Sequence, residues 1–452
     1  MGGTEQARAA AVIGAGPSGF YVSERLLSAG FRVDLFDRLP TPFGLVRAGV
    51  APDHPKIKSV TRAFDKIAAQ PGFRFIGGAE LGNHYAVGEL RRRYHAIVYA
   101  VGMDVDRELG VPGESLRGSV GAAEFVGWYN GHPDFADHRF DLSCSRAVVV
   151  GNGNVALDVA RMLVLAPEEL AATDTADHAL EQFARARVRD VVVLGRRGPL
   201  QASFTTPELR ELGDLRRAEI VVDAGSTEIP VNDSSDPTRA RNLTVLREFA
   251  ARKPRGKSHR VELRFLSSPV EVIGDGRHVR GVRVARNRLD GARAVPTGEH
   301  EVIDCGLVVR AIGYRGRPLP GVSFDAARSR ISNCNGRVTT AGGQPIVGEY
   351  AVGWIKRGPS GVIGTNKKDA TDTSERVLED VDAGVLDRPD IDADPVATMQ
   401  WLRTRVPTIV TWDGWTNIDR HERSAGAESG RPRVKLVRRE AMLALSPSGG
   451  AP

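Results

Sequence analysis

The chain has 452 residues, more than one compact core usually organises, so two domains are expected. Hydrophobic residues make up 41% and charged residues 26%, a composition that excludes a largely disordered chain. The net charge of +6 favours anionic partners. Because basic and acidic residues alternate along most of the chain, a mixed solvated surface and a patch for an acidic partner both stay open. There is no basic stripe with interleaved aromatics, so nucleic-acid binding is not expected.

The three cysteines, Cys144, Cys305 and Cys334, lie far apart and form neither a CxxC motif nor a Cys/His cluster. This spacing excludes a zinc site, an iron–sulfur cluster and a redox dithiol, and no metal is expected. Scattered thiols are typical of the reducing cytoplasm. No apolar run is long enough for a membrane span, and the N-terminal apolar stretch indicates a strand rather than a signal peptide.

The first predicted elements form a strand–helix–strand unit. Ala9–Ile13 predicts a short buried strand, Phe20–Ala29 a helix, and Phe31–Phe36 the next strand. Such a βαβ unit implies a parallel sheet and an α/β fold. The four prolines between Pro40 and Pro55 then exclude a helix and favour a long structured loop, which is often functional.

The turn inside this unit, residues 14–19, has the pattern GxGxxG. Gly14 permits the tight turn, Gly16 lets a pyrophosphate approach the backbone, and Gly19 lets the helix pack on the strand. The helix N-terminus offers free N–H groups to phosphates. Asp37, which follows the second strand, stands where a ribose-binding carboxylate is expected. The unit therefore predicts a dinucleotide site.

A second unit of the same kind begins at Ala147–Val150. Its turn, Gly151–Ala156, is a GxGxxA variant, and Val191–Leu194 predicts its second strand. Arg196 and Arg197 follow that strand where a carboxylate would otherwise bind the ribose. They are either surface charge or, as the spacing favours, a site for the 2′-phosphate of NADPH.

Two dinucleotide sites in one chain imply FAD together with a nicotinamide cofactor. The first site suits FAD because a carboxylate there matches an unphosphorylated ribose. Ala96–Val101 and Leu307–Ile312 are similar apolar strands that end in glycine, which indicates two crossings between domains. We therefore expect the FAD domain to comprise residues 1–106 and 320–452, with an NADPH domain, residues 107–319, inserted.

Two further patterns come from the inserted part and the last third of the chain. Val261–Phe265, Val270–Ile273 and Val279–Ala285 predict antiparallel strands. Gly353–Asn366 is rich in glycine and leads into a predicted helix near Thr365, which favours backbone packed against a flat ligand over a plain surface loop.

At this point the motifs together resemble the adrenodoxin reductase-type NADPH–ferredoxin reductases, with the bacterial members most similar. The resemblance extends from about residue 9 to about residue 440. It is carried by residues 14–19, 40–47, 51–56, 151–161, 195–198 and 353–368.

The resemblance implies two Rossmann-like domains arranged as in glutathione reductase, without the redox disulfide. It assigns FAD contacts to Ala15, Asp37, Leu45 and Leu81, with Trp354, Gly361, Val362 and Ile363 lining the isoalloxazine. It assigns NADPH contacts to Arg107, Asn152, Gly153, Asn154, Val155, Arg196, Arg197 and Glu208, with Gly361 near the nicotinamide. His54 and Glu211 match positions thought to assist proton movement, although a structural histidine and a solvated glutamate are the alternatives.

This sequence departs from the family pattern at two positions. Asp37 stands where a glutamate is often found, and Phe43 where close bacterial relatives often have tryptophan. Both departures bear on flavin affinity and potential rather than on the assignment.

The implied activity is hydride transfer from NADPH to FAD N5, followed by one-electron transfers to a ferredoxin-type iron–sulfur protein. Ferredoxins are acidic, and Arg210, Arg239 and Arg241 are candidates for docking. Two alternatives are a flavin monooxygenase or other small-molecule oxidoreductase, and a flavin-binding redox sensor without turnover.

Overall fold

The computed structural model describes residues 8–223, 236–361, 363–386, 389–391, 394–406 and 408–446. The elements before the first crossing between sheets are β1 (Ala9–Ile13), α1 (Pro17–Ser28), β2 (Arg32–Asp37), α2 (Leu45–Ala48), α3 (Pro55–Lys58), α4 (Thr61–Ala68), β3 (Phe73–Gly77), α5 (Val87–Arg91) and β4 (Ala96–Tyr99).

The middle of the chain supplies the second group of elements. These are β5 (Val105–Asp106), β6 (Ser119–Gly121), α6 (Ala122–Tyr129), β7 (Arg146–Val150), α7 (Asn154–Val164), α8 (Pro167–Ala171), α9 (Asp177–Ala184), β8 (Asp190–Leu194), α10 (Thr206–Leu212), β9 (Ala218–Val222), α11 (Pro237–Ala250), β10 (His259–Arg264), β11 (Ser267–Gly274), β12 (Val279–Asp290), β13 (Arg293–Asp304) and β14 (Leu307–Arg310).

The last third returns to the first sheet. Its elements are β15 (Tyr314–Arg315), β16 (Phe324–Asp325), β17 (Arg330–Ile331), β18 (Asn333–Cys334), β19 (Arg337–Thr339), β20 (Pro345–Ala351), α12 (Trp354–Arg357), α13 (Ile363–Asp382), α14 (Pro395–Arg403), α15 (Trp412–Glu428) and α16 (Arg439–Ala444).

The first sheet has seven strands in the order β18-β19-β20-β4-β1-β2-β3, and β1 runs parallel to β2 and β4. Alternate residues of β1 enter different cores, Ala10 and Val12 on one face, Ala11 and Ile13 on the other. Burial on both faces explains why this strand is continuously apolar.

The second sheet has six strands in the order β6-β14-β7-β8-β10-β9, all paired in parallel. β7 repeats the pattern of β1, with Ala147 and Val149 in one core and Val148 and Val150 in the other. The fold is therefore the predicted α/β arrangement of two Rossmann-like units.

One strand prediction was wrong. The segment at Val261–Phe265 was expected to be antiparallel, but β10 pairs in parallel with β8 and β9. The physical reason is α11, which supplies the crossover a parallel strand requires and which the sequence analysis did not identify. The antiparallel sheet consists instead of β11, β12 and β13, and β13 was not predicted.

The C-terminal segment, residues 431–439, fastens the two large sheets together. Its cations reach four aspartates of the middle part of the chain: Arg431 to Asp177 at 2.5 Å, Lys435 to Asp174 at 3.2 Å, Arg438 to Asp137, and Arg439 to Asp134 at 2.6 Å. Arg433 points back to Glu422 of α15 at 3.0 Å. None of the helices in the described ranges is long and apolar enough to cross a membrane.

Candidate functional site

The first glycine turn lies between the carboxyl end of β1 and the start of α1. Gly14 has φ +110°, and a Cβ there would stand 2.5 Å from the Ala100 carbonyl oxygen. A Cβ at Gly19 would stand 2.0 Å from the Gly14 carbonyl oxygen. A Cβ at Gly16 would meet nothing within 4 Å, so the space above this residue is open. Protein packing therefore requires two of the glycines, and the third leaves room for a phosphate.

Asp37 ends β2 beside this turn. One carboxylate oxygen accepts a hydrogen bond from the Ala15 N–H at 2.8 Å, and the other accepts one from the Leu39 N–H at 2.9 Å. Burial raises the pKa of the Asp37 carboxyl, although both backbone donors oppose that shift. The carboxylate is thus held against the turn, at the position from which a ribose would be reached.

The glycine-rich third region packs directly on the first turn. A Cβ at Gly353 would lie 2.3 Å from the Ser18 hydroxyl oxygen, so the Gly353 backbone packs against the Ser18 side chain. Trp354 stacks on Tyr314 with ring centroids 6.0 Å apart and an interplanar angle of 22°. Its buried Nε1 has no hydrogen-bond partner among the described residues. A buried indole donor without a partner is rare in folded proteins and is most often found beside a site that a ligand or water completes.

The other residues expected at the flavin are placed as follows. Leu45 begins α2 and is 44% exposed, unusual for a leucine, whereas Leu81 is buried in the core under the first sheet. Gly361 has φ +81° and lies two positions before Ile363, where α13 starts. Val362 lies outside the described residues.

The second glycine turn has the same construction. Gly151 has φ +131°, and a Cβ there would stand 2.2 Å from the Ala311 carbonyl oxygen, whereas a Cβ at Gly153 would meet no atom closer than 3.9 Å. The Asn154 side chain accepts a hydrogen bond from the Thr205 N–H at 2.8 Å. Asn152 lies against Gly195, and Val155 packs on the core.

Two arginines stand at the end of β8 beside this turn. Arg196 is exposed and Arg197 half-buried, and neither guanidinium forms a hydrogen bond or ion pair with the part of the chain that the structure describes. Arg107 is also exposed, and its Nε donates to the Tyr314 carbonyl oxygen at 3.2 Å. Two unpartnered guanidinium groups beside an open glycine turn could bind a phosphate.

His54 joins the two halves of the chain. Its buried ring Nε2 lies 2.7 Å from the Glu211 carboxylate and 2.7 Å from Nη2 of Arg161, and 3.7 Å from the Glu208 carboxylate. The structure therefore brings His54 and Glu211, which the resemblance paired, together with Glu208, which it assigned to the NADPH site.

Arg161 was missed by the sequence analysis. Its guanidinium, 3% exposed, donates to both Asp53 oxygens at 2.8 and 3.0 Å and to Asp158 at 2.9 Å. A usable signal existed, because Asp158 and Arg161 are three apart on the otherwise apolar helix α7 that follows the second glycine turn.

Burial and charge set the proton affinities of this cluster. Burial, together with the charge of Asp158, raises the pKa of Glu208 to about 7. Burial opposes ionisation of Asp53, but its hydrogen bonds to Arg161 outweigh burial and lower its pKa. Glu208 is thus the carboxyl that changes charge near neutral pH.

The geometry at His54 offers Nε2 a hydrogen-bond partner both with and without its proton. Nε2 has one hydrogen-bonding position, and Arg161 can only donate. When Nε2 is unprotonated it accepts from Arg161; when it is protonated it donates to Glu211. Although His54, Glu208 and Glu211 could converge on a metal, the Arg161 guanidinium already supplies the positive charge there.

Two open glycine turns, each at the carboxyl end of a parallel strand in its own sheet, define an oxidoreductase with two dinucleotide sites. In agreement, residues 8–193 match the pyridine nucleotide-disulphide oxidoreductase family. The chain is 49% identical to NADPH-ferredoxin reductase FprA of Mycobacterium tuberculosis, over 94% of this chain and 96% of that one. It is 41% identical to the mitochondrial NADPH:adrenodoxin oxidoreductase of Salvelinus fontinalis, over 94% of this chain and 88% of that one.

A solved structure shows the same likeness. Mycobacterium tuberculosis FprA in complex with NADPH superposes with a TM-score of 0.93 at 46% identity, covering 98% of this chain and 100% of the other. The chain belongs to the adrenodoxin reductase-type NADPH–ferredoxin reductase family.

Proposed function

We propose that this protein is an FAD-containing NADPH–ferredoxin oxidoreductase. The observation that carries the proposal is the contrast between its two glycine turns. The first has the fixed carboxylate of Asp37, and the second has the unpartnered guanidinium groups of Arg196 and Arg197. That contrast suits one unphosphorylated and one 2′-phosphorylated dinucleotide, and the relatives named for NADPH and ferredoxin support the same function.

The residues around the first turn fit FAD. The open space at Gly16 would take the pyrophosphate, Asp37 the ribose, and the exposed Leu45 would cover the ligand. Leu81, Gly361, Val362 and Ile363 remain further proposed contacts. Trp354, which stacks on Tyr314, would line the isoalloxazine ring. Bound FAD would accept the two electrons of one hydride and release them one at a time.

The residues around the second turn fit NADPH. The open face of Gly153 and the start of α7 would bind the pyrophosphate, with Arg196 and Arg197 on the 2′-phosphate. Arg107, Asn152, Asn154 and Val155 are proposed to complete the site. The buried Oε2 of Glu208, which makes no hydrogen bond within the described ranges, would accept one from the cofactor.

We propose that His54 and Glu211 move a proton beside the reacting nicotinamide and flavin rings. The support is the 2.7 Å contact between them and the competing Arg161 donor, which together let Nε2 gain or release a proton without a large movement.

The sheet composition supports the domain division proposed from the sequence, 1–106 and 320–452 for FAD and 107–319 for NADPH. The seven-stranded sheet draws its strands from residues 9–99 and 333–351, and the six-stranded sheet from residues 119–310. Limited proteolysis that releases residues 107–319 as a folded fragment would support these boundaries; cleavage inside the six-stranded sheet would contradict them.

We propose that the ferredoxin docks on its acidic side against Arg210, Arg239 and Arg241. All three are exposed, and α10 and α11, which carry them, are joined by a 2.6 Å hydrogen bond from Thr206 to Asn242. Arg210 directly precedes Glu211, so this basic surface begins at the edge of the reacting site.

Charge reversal tests the docking surface. R210E and R241E should each raise the KM for a ferredoxin by about tenfold at low salt and leave ferricyanide reduction unchanged, because steering depends on charge. R293E, an equal charge change at an exposed site on β13, is the control. Equal loss with both acceptors, or an equal effect of R293E, would contradict the docking proposal.

We propose the cytoplasm as the working compartment. Cys144, Cys305 and Cys334 are all free thiols, and Cys305 is buried with a raised pKa because of that burial. Free buried thiols suit a reducing environment. Cell fractionation that recovers the protein in an oxidising compartment would contradict this placement.

An anaerobic titration tests the function. Reduction of the bound flavin by one equivalent of NADPH should be complete within seconds, and NADH should reduce it far more slowly. Failure of NADPH to bleach the flavin would contradict the proposal.

A further inference from the structure

The arginine turn, residues 195–197, is fixed through its backbone carbonyl groups. Each of the three carbonyl oxygens accepts one hydrogen bond: Gly195 from the Ser267 N–H at 2.9 Å, Arg196 from Asn287 Nδ2 at 2.8 Å, and Arg197 from the Leu266 N–H at 3.1 Å. All three donors belong to the corner between β10 and β11 or to β12. These three hydrogen bonds therefore fix the backbone of the turn that carries the two guanidinium groups against the antiparallel sheet.

Asn287 is the one side chain among these donors. Its Nδ2 donates both to the Arg196 carbonyl oxygen and to the Ser268 hydroxyl oxygen at 2.7 Å, and its backbone N–H donates to the Leu266 carbonyl oxygen at 2.7 Å. Because the Arg196 carbonyl can only accept, the amide nitrogen must face it. The residue is 4% exposed, so a lost bond would not be replaced by bulk water.

A β-bulge aims this side chain. The pairing of β12 with β13 slips in register between Ala285 and Asn287, and Arg286 pairs with Ser267 on the other side. A bulge turns a side chain away from the regular alternation of a strand and is frequent beside functional sites. Leu266, to which Asn287 is bonded, has φ +53°, a conformation that persists only where the surroundings fix it.

Apart from these backbone hydrogen bonds, the described parts of the chain offer no contact that orients the two guanidinium groups. The Arg196 and Arg197 side chains have no partner in the described parts of the chain, so their direction depends on the backbone from which they start. A dianionic phosphate bound by two long, mobile cations is bound more tightly when their common backbone is already in place.

We propose that Asn287 is a positioning residue that sets the preference for NADPH over NADH by fixing the backbone of Arg196. The proposal rests on the function proposed above, because it assigns the 2′-phosphate to the arginine turn. Asn287 does not touch the phosphate; it acts through the carbonyl of Arg196.

The test compares variants of the FAD-loaded protein with ferricyanide as acceptor. N287A should raise the KM for NADPH by about tenfold, as expected for one lost hydrogen bond, and change the KM for NADH and both kcat values less than twofold. S268A, which frees the amide but keeps its bond to Arg196, should act in the same direction and more weakly. R283Q on the same strand, whose partner is Glu271, is the matched control and should change neither KM.

Inhibition by adenosine 2′-phosphate gives a second readout that needs no turnover. Its inhibition constant should rise with the KM for NADPH in N287A, whereas that of adenosine 5′-phosphate should not. Because N287A could destabilise the hairpin, S268A keeps the test decisive if N287A fails to fold.

The inference is overturned if both cofactors lose affinity equally in N287A, or if a folded N287A or S268A keeps the full preference for NADPH. A wild-type protein that does not prefer NADPH would instead contradict the proposed function itself, so the two failures are distinguishable.

Discussion

At the scale of single residues, the candidate site contains polar groups that either lack a hydrogen-bond partner or have two competing partners. His54 Nε2 faces a donor, Arg161, and an acceptor, Glu211, at the same 2.7 Å distance. Glu208 is buried beside them with a pKa of about 7, and one of its oxygens has no hydrogen bond in the described chain. Such groups are costly for folding, and perturbed proton affinities cluster where chemistry occurs.

Glu208 should make stability depend on pH in a defined direction. Its pKa rises from an ordinary 4.5 to about 7 on folding, so the folded state binds more protons between these values. The unfolding free energy therefore falls as pH rises through this window. Glutamine does not titrate, so the melting temperature of E208Q relative to wild type should increase by roughly 2 °C or more from pH 5 to pH 8. A difference that stays constant or decreases would contradict the raised pKa.

An alanine at Gly16 should leave folding unchanged and weaken FAD binding. G16A meets no protein atom within 4 Å, so the chain should fold normally but bind FAD at least about tenfold more weakly, because the methyl group occupies the phosphate space. G88A, also open in the structure, is the control and should bind FAD normally. The measurement is fluorescence titration of the flavin-free protein. Unchanged FAD affinity in G16A would contradict the proposal that the pyrophosphate binds at this turn.

Local patterns made much of the site predictable. The glycine turns, Asp37 and the two arginines lie within single βαβ units, where spacing along the chain determines spacing in the fold. Arg161 and Asp53 are 108 positions apart, and their contact depends on how the two units dock. No local pattern contains that information.

At the scale of elements, the same distinction explains the strand that was assigned wrongly. β10 is short and apolar at alternate positions, which suits either type of sheet, and its parallel pairing follows from the crossover through α11. β13 has a mostly exposed, polar sequence, and it becomes a strand because β12 offers its full length as a partner. Pairing partners, rather than propensity, decide both cases.

The C-terminal segment contributes a buried charge cluster between elements. Asp174 lies 2.6 Å from Lys58 and 3.2 Å from Lys435, and the two lysines outweigh its burial and lower its pKa to about 2. Burial lowers the pKa of both lysines, that of Lys435 the more strongly, and the Asp174 carboxylate opposes this shift.

Removing the negative charge of this cluster and removing one of its positive charges should lower the unfolding free energy by different amounts. D174N leaves two buried lysines without a carboxylate and should cost about 3–5 kcal/mol, whereas K435M leaves the Lys58–Asp174 pair intact and should cost much less. Thermal unfolding of the FAD-loaded variants at pH 7 measures the difference. Equal losses for the two variants would show that the cluster is not held by Asp174.

At the scale of the whole molecule, the His54 cluster exists only where the two parts of the chain meet. His54 lies in the loop after β2 of the first sheet. Arg161 belongs to α7, and Glu208 and Glu211 belong to α10, both in the part of the chain that forms the second sheet. The C-terminal segment ties the same two parts together. His54 contacts Arg161 of α7, the helix that begins at the second glycine turn, so this cluster links the part of the chain that carries the first turn to the helix of the second.

The most direct measurement is cytochrome c reduction by the purified FAD-loaded protein, with NADPH or NADH and with or without an added ferredoxin. We expect the rate to increase several-fold when ferredoxin is present, and kcat/KM to be at least about tenfold higher for NADPH than for NADH, the margin of one good phosphate contact. Reduction that does not depend on ferredoxin, or a preference for NADH, would contradict the proposed function.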